Sequence, residues 1–176
     1  MEKILITGGQ ASGKSTLAIQ MADAMEEKRV FIATAVAFDE ELKEKIQAHK
    51  EERGNRYHTI EEPLHLHEAL KKAAEMSPQV IVIDCMTIWI SNLMLQLPEN
   101  ALDETIQRFF KALEEMDNGN TVKKVICVTN ETGWGIIPAD PLSRKYVKRL
   151  GRLNKQIAAT FDKVYLTCCG LETRLK

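Results

Sequence analysis

Short apolar runs alternate with longer amphipathic stretches along this chain. Five runs stand out, and none of them alternates cleanly between apolar and polar residues: 4–7, 30–34, 80–84, 125–129 and 164–168. Runs of this kind are typical of strands that are covered on both faces, as in a parallel sheet. The hydrophobic pattern therefore predicts five buried, parallel strands.

Helical periodicity fills most of the intervals between these runs. The predicted helices cover residues 15–27, the highly charged segment 39–53, residues 63–76, residues 103–116 and a long segment from 141 to about 161. Asp140 followed by Pro141 has the form of an N-cap and a proline at the first helical position. Strands that alternate with helices predict an α/β fold with helices on both faces of a mostly parallel sheet. We expect one domain over residues 1–176.

Composition narrows the classes of function. The 176 residues are 44% hydrophobic and 28% charged, with a net charge of −1. No overall field favours nucleic acid or an anionic membrane, and no apolar run has the length of a membrane span. We therefore expect neither a nucleic-acid partner nor a membrane span. The first predicted strand begins close to the N-terminus, so we do not expect a signal peptide. We expect a cytoplasmic location.

The cysteines, Cys85, Cys127, Cys168 and Cys169, lack the spacing of a zinc site. They lie in or beside apolar runs, so we expect buried, reduced thiols. The adjacent pair Cys168-Cys169 is expected to pack in the core at a strand end.

Residues 8–15 read GGQASGKS, directly after the first apolar run. They fit the phosphate-binding pattern G-x-x-x-x-G-K-[ST], with a strand before the loop and an amphipathic helix after it. The loop amides and the helix N-terminus form an anion site. In this pattern Lys14 reaches the β and γ phosphates, and the Ser15 hydroxyl ligates Mg²⁺.

Polar residues at other strand ends are further candidates. Asp84 closes the run 80–84 as in a Walker B strand and would hold Mg²⁺ or its water. Asn130 and Glu131 follow the run 125–129, where either turn formation or function accounts for them. His49 lies beside Lys50 and Arg53, and a neutral imidazole is a competent nucleophile toward phosphorus. From the residues alone, a histidine on a solvated, charged helix face is the stronger interpretation.

Two surfaces each allow two interpretations. Arg144, Lys148, Arg152 and Lys155 lie along one stripe of the last helix, which would meet phosphates or another subunit, or simply face solvent. The apolar residues around Trp89 and Leu93 would serve an interface, or belong to a buried helix.

Several segments together resemble one family, the bifunctional adenosylcobinamide kinase/adenosylcobinamide-phosphate guanylyltransferases of cobalamin biosynthesis. The resemblance covers nearly the whole chain, in order: ILITGGQASGKS, FIATAVAFDEELKEKIQAHKEER, HTIEEP, VIDCMTIWISNL, VTNETGWGIIP and RLNKQIAATFDKVYLTCCG. The phosphate loop is shared with many NTPases, whereas the combination of these segments is far more specific.

The resemblance implies a RecA-like P-loop fold and two reactions. ATP or GTP phosphorylates adenosylcobinamide, and GMP then passes from GTP through a covalent GMP–histidine to adenosylcobinamide phosphate, giving adenosylcobinamide-GDP. It implies His49 as the nucleophile, Mg²⁺ with GTP or ATP, and a homo-oligomer such as a trimer. The implied nucleotide site comprises Gly8, Gly9, Gln10, Ala11, Ser12, Gly13, Lys14, Ser15, Ala33, Thr34, Ala35, Lys50, Glu51, Glu52, Arg53, Glu61 and Asp84.

The chain departs from the family pattern at two positions, with Lys45 in place of the usual arginine and Ala48 where some relatives have a second histidine. The first exchange removes a bidentate donor. Neither removes His49. Two alternatives remain, a small-molecule P-loop kinase without guanylyl transfer and a nucleotide-dependent switch without a metabolite substrate.

Overall fold

A single seven-stranded sheet organises the computed structural model, which describes residues 1–25, 28–36, 51, 54–117 and 121–176. The strand order across the sheet is β3-β2-β4-β5-β1-β6-β7. Every neighbouring pair is parallel except the last, in which β7 runs antiparallel to β6. The strands are β1 Glu2–Gly8, β2 Arg29–Ala33, β3 His58–Glu61, β4 Val80–Asp84, β5 Lys124–Val128, β6 Lys163–Cys168 and β7 Leu171–Arg174.

Helices cover both faces of this sheet, which explains the unbroken apolar strands. On one face, Leu17 and Ala22 of α1 pack against Ile6 and Val82. The four later helices pack on the opposite face, where the rings of Trp89 and Phe109 lie 5.2 Å apart. The helices are α1 Lys14–Asp23, α2 Leu66–Glu75, α3 Met86–Gln96, α4 Glu99–Asp117 and α5 Pro141–Thr160.

The predicted strands and most predicted helices are observed within a few residues of their expected bounds. Asp140 caps α5 as expected, since its side chain accepts a hydrogen bond of 2.7 Å from the Ser143 amide. The predicted helix 39–53 lies outside the described residues, apart from Glu51. None of the helices in the described part of the chain combines the length and hydrophobicity that a membrane span requires.

Two strands were not predicted, and one helix was predicted only as an alternative. Strand β3 lies within the charged stretch 35–62, where its four residues carry only one fully buried position, Ile60. Strand β7 is exposed along its whole length, so it has no apolar signal. Helix α3 had been one of two alternatives for the segment around Trp89 and Leu93. Both side chains are completely buried, so the buried-helix alternative is the one observed and the alternative of an exposed interface there was wrong.

Candidate functional site

Strand register brings the predicted site residues to one edge of the sheet. Ala33 pairs with Glu61 on one side and with Asp84 on the other. Asp84 in turn pairs with Val128, and Val128 with Ile6. Because β1 extends two residues beyond Ile6, Gly8 begins the phosphate loop at this same carboxyl edge. Ligands of open α/β sheets bind at such edges.

The phosphate loop has a backbone that depends on two of its glycines. Gly13 caps α1 with a φ of 98°. A Cβ atom there would lie 3.2 Å from the Cα of Gly170, and one on Gly8 would lie 2.7 Å from the Ser12 hydroxyl oxygen. Both positions therefore favour glycine for packing as well as conformation. Ala11 also has a positive φ, 54°, without being glycine.

Lys14 is folded back onto the loop that carries it. Its side chain is buried, with the residue only 7% exposed, and Nζ donates to the carbonyl oxygen of Gly9 at 2.5 Å. A longer contact of 3.4 Å joins Nζ to the Ser12 hydroxyl. Burial lowers the pKa of Lys14, and the negative charge of Asp84 partly opposes this shift. The loop thus holds a desolvated cation at a position where it would stabilise a bound anion.

Ser15 and Asp84 meet directly, although they are 69 positions apart in the sequence. The Ser15 hydroxyl donates to the Asp84 carboxylate at 2.7 Å. The sequence predicted that both belong to one metal site, and the structure brings them together. A hydroxyl and a carboxylate are oxygen donors of the kind that Mg²⁺ uses alongside substrate phosphates. The described residues contain no group of three or more His, Cys, Asp or Glu side chains that would hold a metal without such phosphates.

Thr34, which the resemblance places in the nucleotide site, has a supporting role in the structure. It is completely buried, and its hydroxyl donates to the Cys85 carbonyl and accepts from the Cys85 amide. Asn92 donates to the Thr34 carbonyl at 2.9 Å. Ala33 and Ala35 beside it are partly exposed, and Glu61 is exposed. The ends of β2 and β4 are thereby fixed relative to each other.

A polar network after β5 was only partly foreseen. The Glu131 amide donates to the Gly8 carbonyl at 2.9 Å, so this segment lies against the phosphate loop. The backbone amide of Asn130 donates to the Thr87 hydroxyl at 2.6 Å. Asn154, buried on α5, donates to the Asn130 carbonyl and accepts from the Thr129 hydroxyl. Thr87 and Asn154 were not among the predicted site residues. The signal that could have identified them is a polar residue at a helical position that faces the core.

Exposed apolar side chains follow this network, in a segment that we call the apolar loop, residues 131–140. Trp134, Ile136 and Ile137 are 73%, 97% and 80% exposed. Leu142, in the first turn of α5, is exposed as well and lines a cavity between α3 and α5 together with Met94 and Tyr146. Arg144 donates from its guanidinium to the carbonyl of Pro138, which ties α5 to the loop.

Other predicted site residues are described only in part. His49, Lys50, Glu52 and Arg53 lie outside the described residues, and Glu51 is exposed. In the basic stripe on α5, Arg144 is bound to the apolar loop as above. The remaining members, Lys148, Arg152 and Lys155, are exposed, which fits the solvated-face interpretation.

The expectation of four buried thiols was half right. Burial, with a contribution from the Asp84 carboxylate, raises the pKa of the Cys85 thiol to about 12. Cys127 is completely buried, and burial raises the pKa of its thiol as well. Cys168 and Cys169 are exposed instead. They lie at the hairpin turn that joins β6 to β7.

The chain is similar to known proteins over nearly its full length. Residues 4–175 match the family model described as cobinamide kinase / cobinamide phosphate guanyltransferase. The bifunctional adenosylcobalamin biosynthesis protein CobP of Pseudomonas aeruginosa is 37% identical over 172 residues, covering 98% of this chain and 96% of the relative. The protein CobU of Salmonella typhimurium, which carries the same description, is 33% identical over 188 residues, covering 98% and 99%.

Solved structures with a similar fold include a recombinase and an ATPase. The RadB recombinase superposes with a TM-score of 0.54 at 17% identity, covering 94% of this chain and 73% of that one. An ATPase from the type III secretion system of pathogenic bacteria gives a TM-score of 0.53 at 12% identity, and the matched region spans 50% of its length. These likenesses confirm the predicted RecA-like P-loop fold.

Proposed function

The chain belongs to the cobinamide kinase / cobinamide phosphate guanyltransferase family, and we propose that both reactions of this family use the carboxyl edge of its sheet. It is a bifunctional enzyme of cobalamin biosynthesis, as the sequence predicted. The observation that carries the assignment to this edge is the Ser15–Asp84 hydrogen bond beside the buried Lys14.

In the kinase reaction, the phosphate loop holds the triphosphate tail of ATP or GTP. Its amides point at the β and γ phosphates, and Lys14 leaves the Gly9 carbonyl to contact them. The γ-phosphoryl group passes to the terminal hydroxyl of the aminopropanol arm of adenosylcobinamide. That oxygen forms a bond to phosphorus as the bond to the β-phosphate oxygen breaks, and the nucleoside diphosphate leaves. Positioning and charge compensation supply most of the rate in such transfers.

Ser15 and Asp84 are the residues that would hold Mg²⁺. The ion would supply positive charge that neutralises the phosphate oxygens. Because the Ser15 hydroxyl now bonds to Asp84, the two oxygens are already close, and the protein needs no large rearrangement to present them together. Two protein oxygens with waters and phosphates make a set that Mg²⁺ prefers.

In the guanylyl transfer, His49 is the proposed nucleophile, on the strength of the sequence pattern. Its neutral imidazole nitrogen forms a bond to the α-phosphorus of GTP as the bond to pyrophosphate breaks. A phosphate oxygen of adenosylcobinamide phosphate then attacks the same phosphorus, and the P–N bond breaks. His49 is regenerated and adenosylcobinamide-GDP is released. Lys50, Glu51, Glu52, Arg53 and Glu61 complete the proposed nucleotide site with Ala33, Thr34 and Ala35.

GTP labelled at the α-phosphate tests this assignment. We expect the wild type to retain an acid-labile, base-stable label, His49→Ala to retain none, and Lys14→Ala to lose cobinamide phosphorylation. His58→Ala is the matched control, because His58 is an exposed histidine at the start of β3. Label that persists in His49→Ala would exclude His49 as the nucleophile. If the wild type phosphorylates cobinamide but retains no label, the protein is a kinase without guanylyl transfer.

We further propose that the apolar loop contacts the corrin ring of the substrate. The loop starts at the phosphate loop, through the Glu131–Gly8 hydrogen bond, and then presents Trp134, Ile136 and Ile137 to solvent. A corrinoid has extended apolar surfaces, and exposed apolar patches of this kind mark ligand or protein contacts. The arrangement would place the ring beside the nucleotide while its arm reaches the transferred phosphate.

Kinetics of Trp134→Ala test the corrinoid contact. We expect the KM for adenosylcobinamide to rise about tenfold, which corresponds to the loss of about 1.4 kcal/mol, while ATP affinity stays unchanged. Leu175→Ala is the control, since Leu175 is an exposed apolar residue near the amino end of β6, at the opposite edge of the sheet. An unchanged KM would contradict the proposal. A smaller oligomer on light scattering would assign the loop to a subunit interface instead.

We also propose a homo-oligomer, a trimer, that acts in the cytoplasm with ATP and GTP as its nucleotides. The support is the family resemblance. Light scattering of the wild type at several concentrations is the direct measurement, and a monomer throughout would contradict the oligomer.

A further inference from the structure

Two exposed thiols lie side by side in the turn between β6 and β7. The Sγ atoms of Cys168 and Cys169 are 3.8 Å apart. Cys168 pairs with Leu171 across the hairpin, so Cys169 and Gly170 are the two central residues of the turn. Both have positive φ, 53° and 77°, which describes a type I′ turn. Asparagine and glycine are the residues favoured at such positions.

This turn is bonded to the phosphate loop. The Gly170 amide donates to the Ser12 carbonyl at 3.1 Å. Next to the turn, the Thr167 and Ser12 hydroxyl oxygens are 2.7 Å apart, and this contact is buried. The Cα of Gly170 also lies close to Gly13, the residue that caps α1. A displacement of the dithiol turn is therefore transmitted to the backbone that would bind phosphates.

The sulfur geometry favours a bridging atom over a direct disulfide. Adjacent Cα atoms are about 3.8 Å apart, whereas unstrained disulfides join Cα atoms about 4.4–6.8 Å apart and need sulfurs at about 2.05 Å. Soft metals and metalloids prefer sulfur ligands. The described residues provide no cluster of three or more His, Cys, Asp or Glu ligands, so a tetrahedral zinc site is not formed here.

We propose that Cys168 and Cys169 form a two-sulfur binding site for a soft, thiol-seeking metal or metalloid centre such as trivalent arsenic, and that its occupancy weakens nucleotide binding at the phosphate loop. The second half rests on the proposed function of that loop. With an organoarsenic(III) oxide, each thiol sulfur forms a bond to arsenic as the arsenic–oxygen bond breaks. The oxygen leaves with both thiol protons as one water. No atom changes its oxidation state.

The other two cysteines do not compete for this chemistry. Cys127 is completely buried, and burial raises the pKa of the Cys85 and Cys127 thiols, whereas Cys168 and Cys169 are exposed and the raised pKa of Cys168 comes from its hydrogen bond with Cys169. The exposed pair is therefore the expected point of attack. An aryl-arsenic group bound there would press on Gly170, and the bond from its amide to Ser12 would shift. Because linkage is reciprocal, bound nucleotide must weaken arsenical binding by the same factor.

Phenylarsine oxide and the full chain provide the test. Intact mass measurement should give one adduct per chain that dithiothreitol removes and an equal excess of a monothiol does not. In the adduct, the dissociation constant of a fluorescent GTP analogue with Mg²⁺ should rise at least fivefold. Saturating GTP should weaken arsenical binding to the same extent.

Cys168→Ser and Cys169→Asn are the matched variants, the second chosen because asparagine tolerates the left-handed backbone of position 169. Both should bind nucleotide within twofold of the wild type and show no dithiol-selective adduct. Adducts mapped to Cys85 or Cys127, or adducts that persist in both variants, would overturn the site. Full modification with unchanged nucleotide affinity would overturn the linkage. If the unmodified protein binds no nucleotide, the proposed phosphate site itself fails, and the mass data alone decide on the dithiol site.

Discussion

Lys14 is a cation that the phosphate loop keeps away from water. Its Nζ has the Gly9 carbonyl for a partner, and the nearby Asp84 carboxylate bonds to Ser15. Burial therefore disfavours the charged form of Lys14. A bound triphosphate would supply the missing negative charge. At this scale the proposed site is a set of polar groups whose partners are exchanged when nucleotide arrives.

This arrangement predicts that ATP binding takes up a proton at alkaline pH. Burial lowers the pKa of Lys14 in the free protein, and bound phosphates raise it again, so above the lowered pKa binding must restore the proton. The affinity for Mg²⁺-ATP should fall as the pH rises through that range. Calorimetry in buffers of different ionisation enthalpy measures the uptake, which Lys14→Met should abolish. Proton release or no uptake in the wild type would contradict the prediction.

Asp84→Asn should separate the charge of the carboxylate from its hydrogen bond. The amide oxygen can still accept from the Ser15 hydroxyl, so the fold is expected to persist, whereas the charge that would hold Mg²⁺ is lost. We expect kcat of the kinase to fall by about 10²–10³, measured by cobinamide phosphorylation against Mg²⁺ concentration. Ser15→Thr keeps a hydroxyl and should remain close to wild type. A fully active Asp84→Asn enzyme would remove Asp84 from the proposed metal site.

Among the elements, the junction of β5 with α5 determines how the apolar loop leaves the site. Thr129 and Asn130 continue from β5, and Asn154 of α5 holds both of them. The next residue, Glu131, is bonded to Gly8. At the far end of the loop, Asp140 and Arg144 attach it to the first turn of α5. A strand, a loop and a helix are thus joined by polar contacts, of which the Thr129–Asn154 bond is buried.

Asn154→Ala should weaken this junction measurably. The Thr129 hydroxyl and the Asn130 carbonyl would each lose a buried partner, so the free energy of unfolding should fall by about 1–3 kcal/mol. Urea denaturation measures the change. Gln156→Ala, an exposed position on the same helix, is the control and should stay within about 0.5 kcal/mol of the wild type. Equal stability of the two variants would mean that the Asn154 contacts contribute little.

On the scale of the whole molecule, the sheet separates the proposed site from most of the core. Strand β1 lies between β5 and β6, and α1 leads from the phosphate loop onto one face. The larger cluster, around Trp89 and Phe109, fills the opposite face beneath α2 to α5. Most of the buried apolar side chains therefore lie on the face of the sheet away from α1, the helix that follows the phosphate loop.

Phe109→Ala tests this separation. Removing a completely buried ring should lower the free energy of unfolding by about 3–5 kcal/mol. The nucleotide affinity of the protein that remains folded should change less than twofold, because Phe109 packs on the face away from α1. Phe109→Leu, which keeps more of the volume, should cost clearly less. A parallel loss of affinity in the folded Phe109→Ala protein would show that the two faces are coupled.

The sequence predicted those elements whose burial leaves a pattern. Strand β4 was predicted with its observed bounds because all its residues up to Asp84 are buried and apolar. Strand β7 escaped prediction because it is exposed throughout, and β3 because its short segment is charged. Within the site, the phosphate loop was found from its spacing, whereas Asn154 and Thr87 are ordinary residues until the fold buries them beside β5.

Local spacing and the order of segments were enough to determine the α/β class, the phosphate loop and the family, since these depend on residues that are neighbours along the chain. Only the tertiary structure decided that Trp89 is core while Trp134 is exposed, that Ser15 bonds to Asp84, and that Cys168 and Cys169 lie open beside Ser12. The physical reason is that burial and long-range hydrogen bonds are set by which strands become neighbours in the sheet. Hydrophobicity along the chain carries no record of that order.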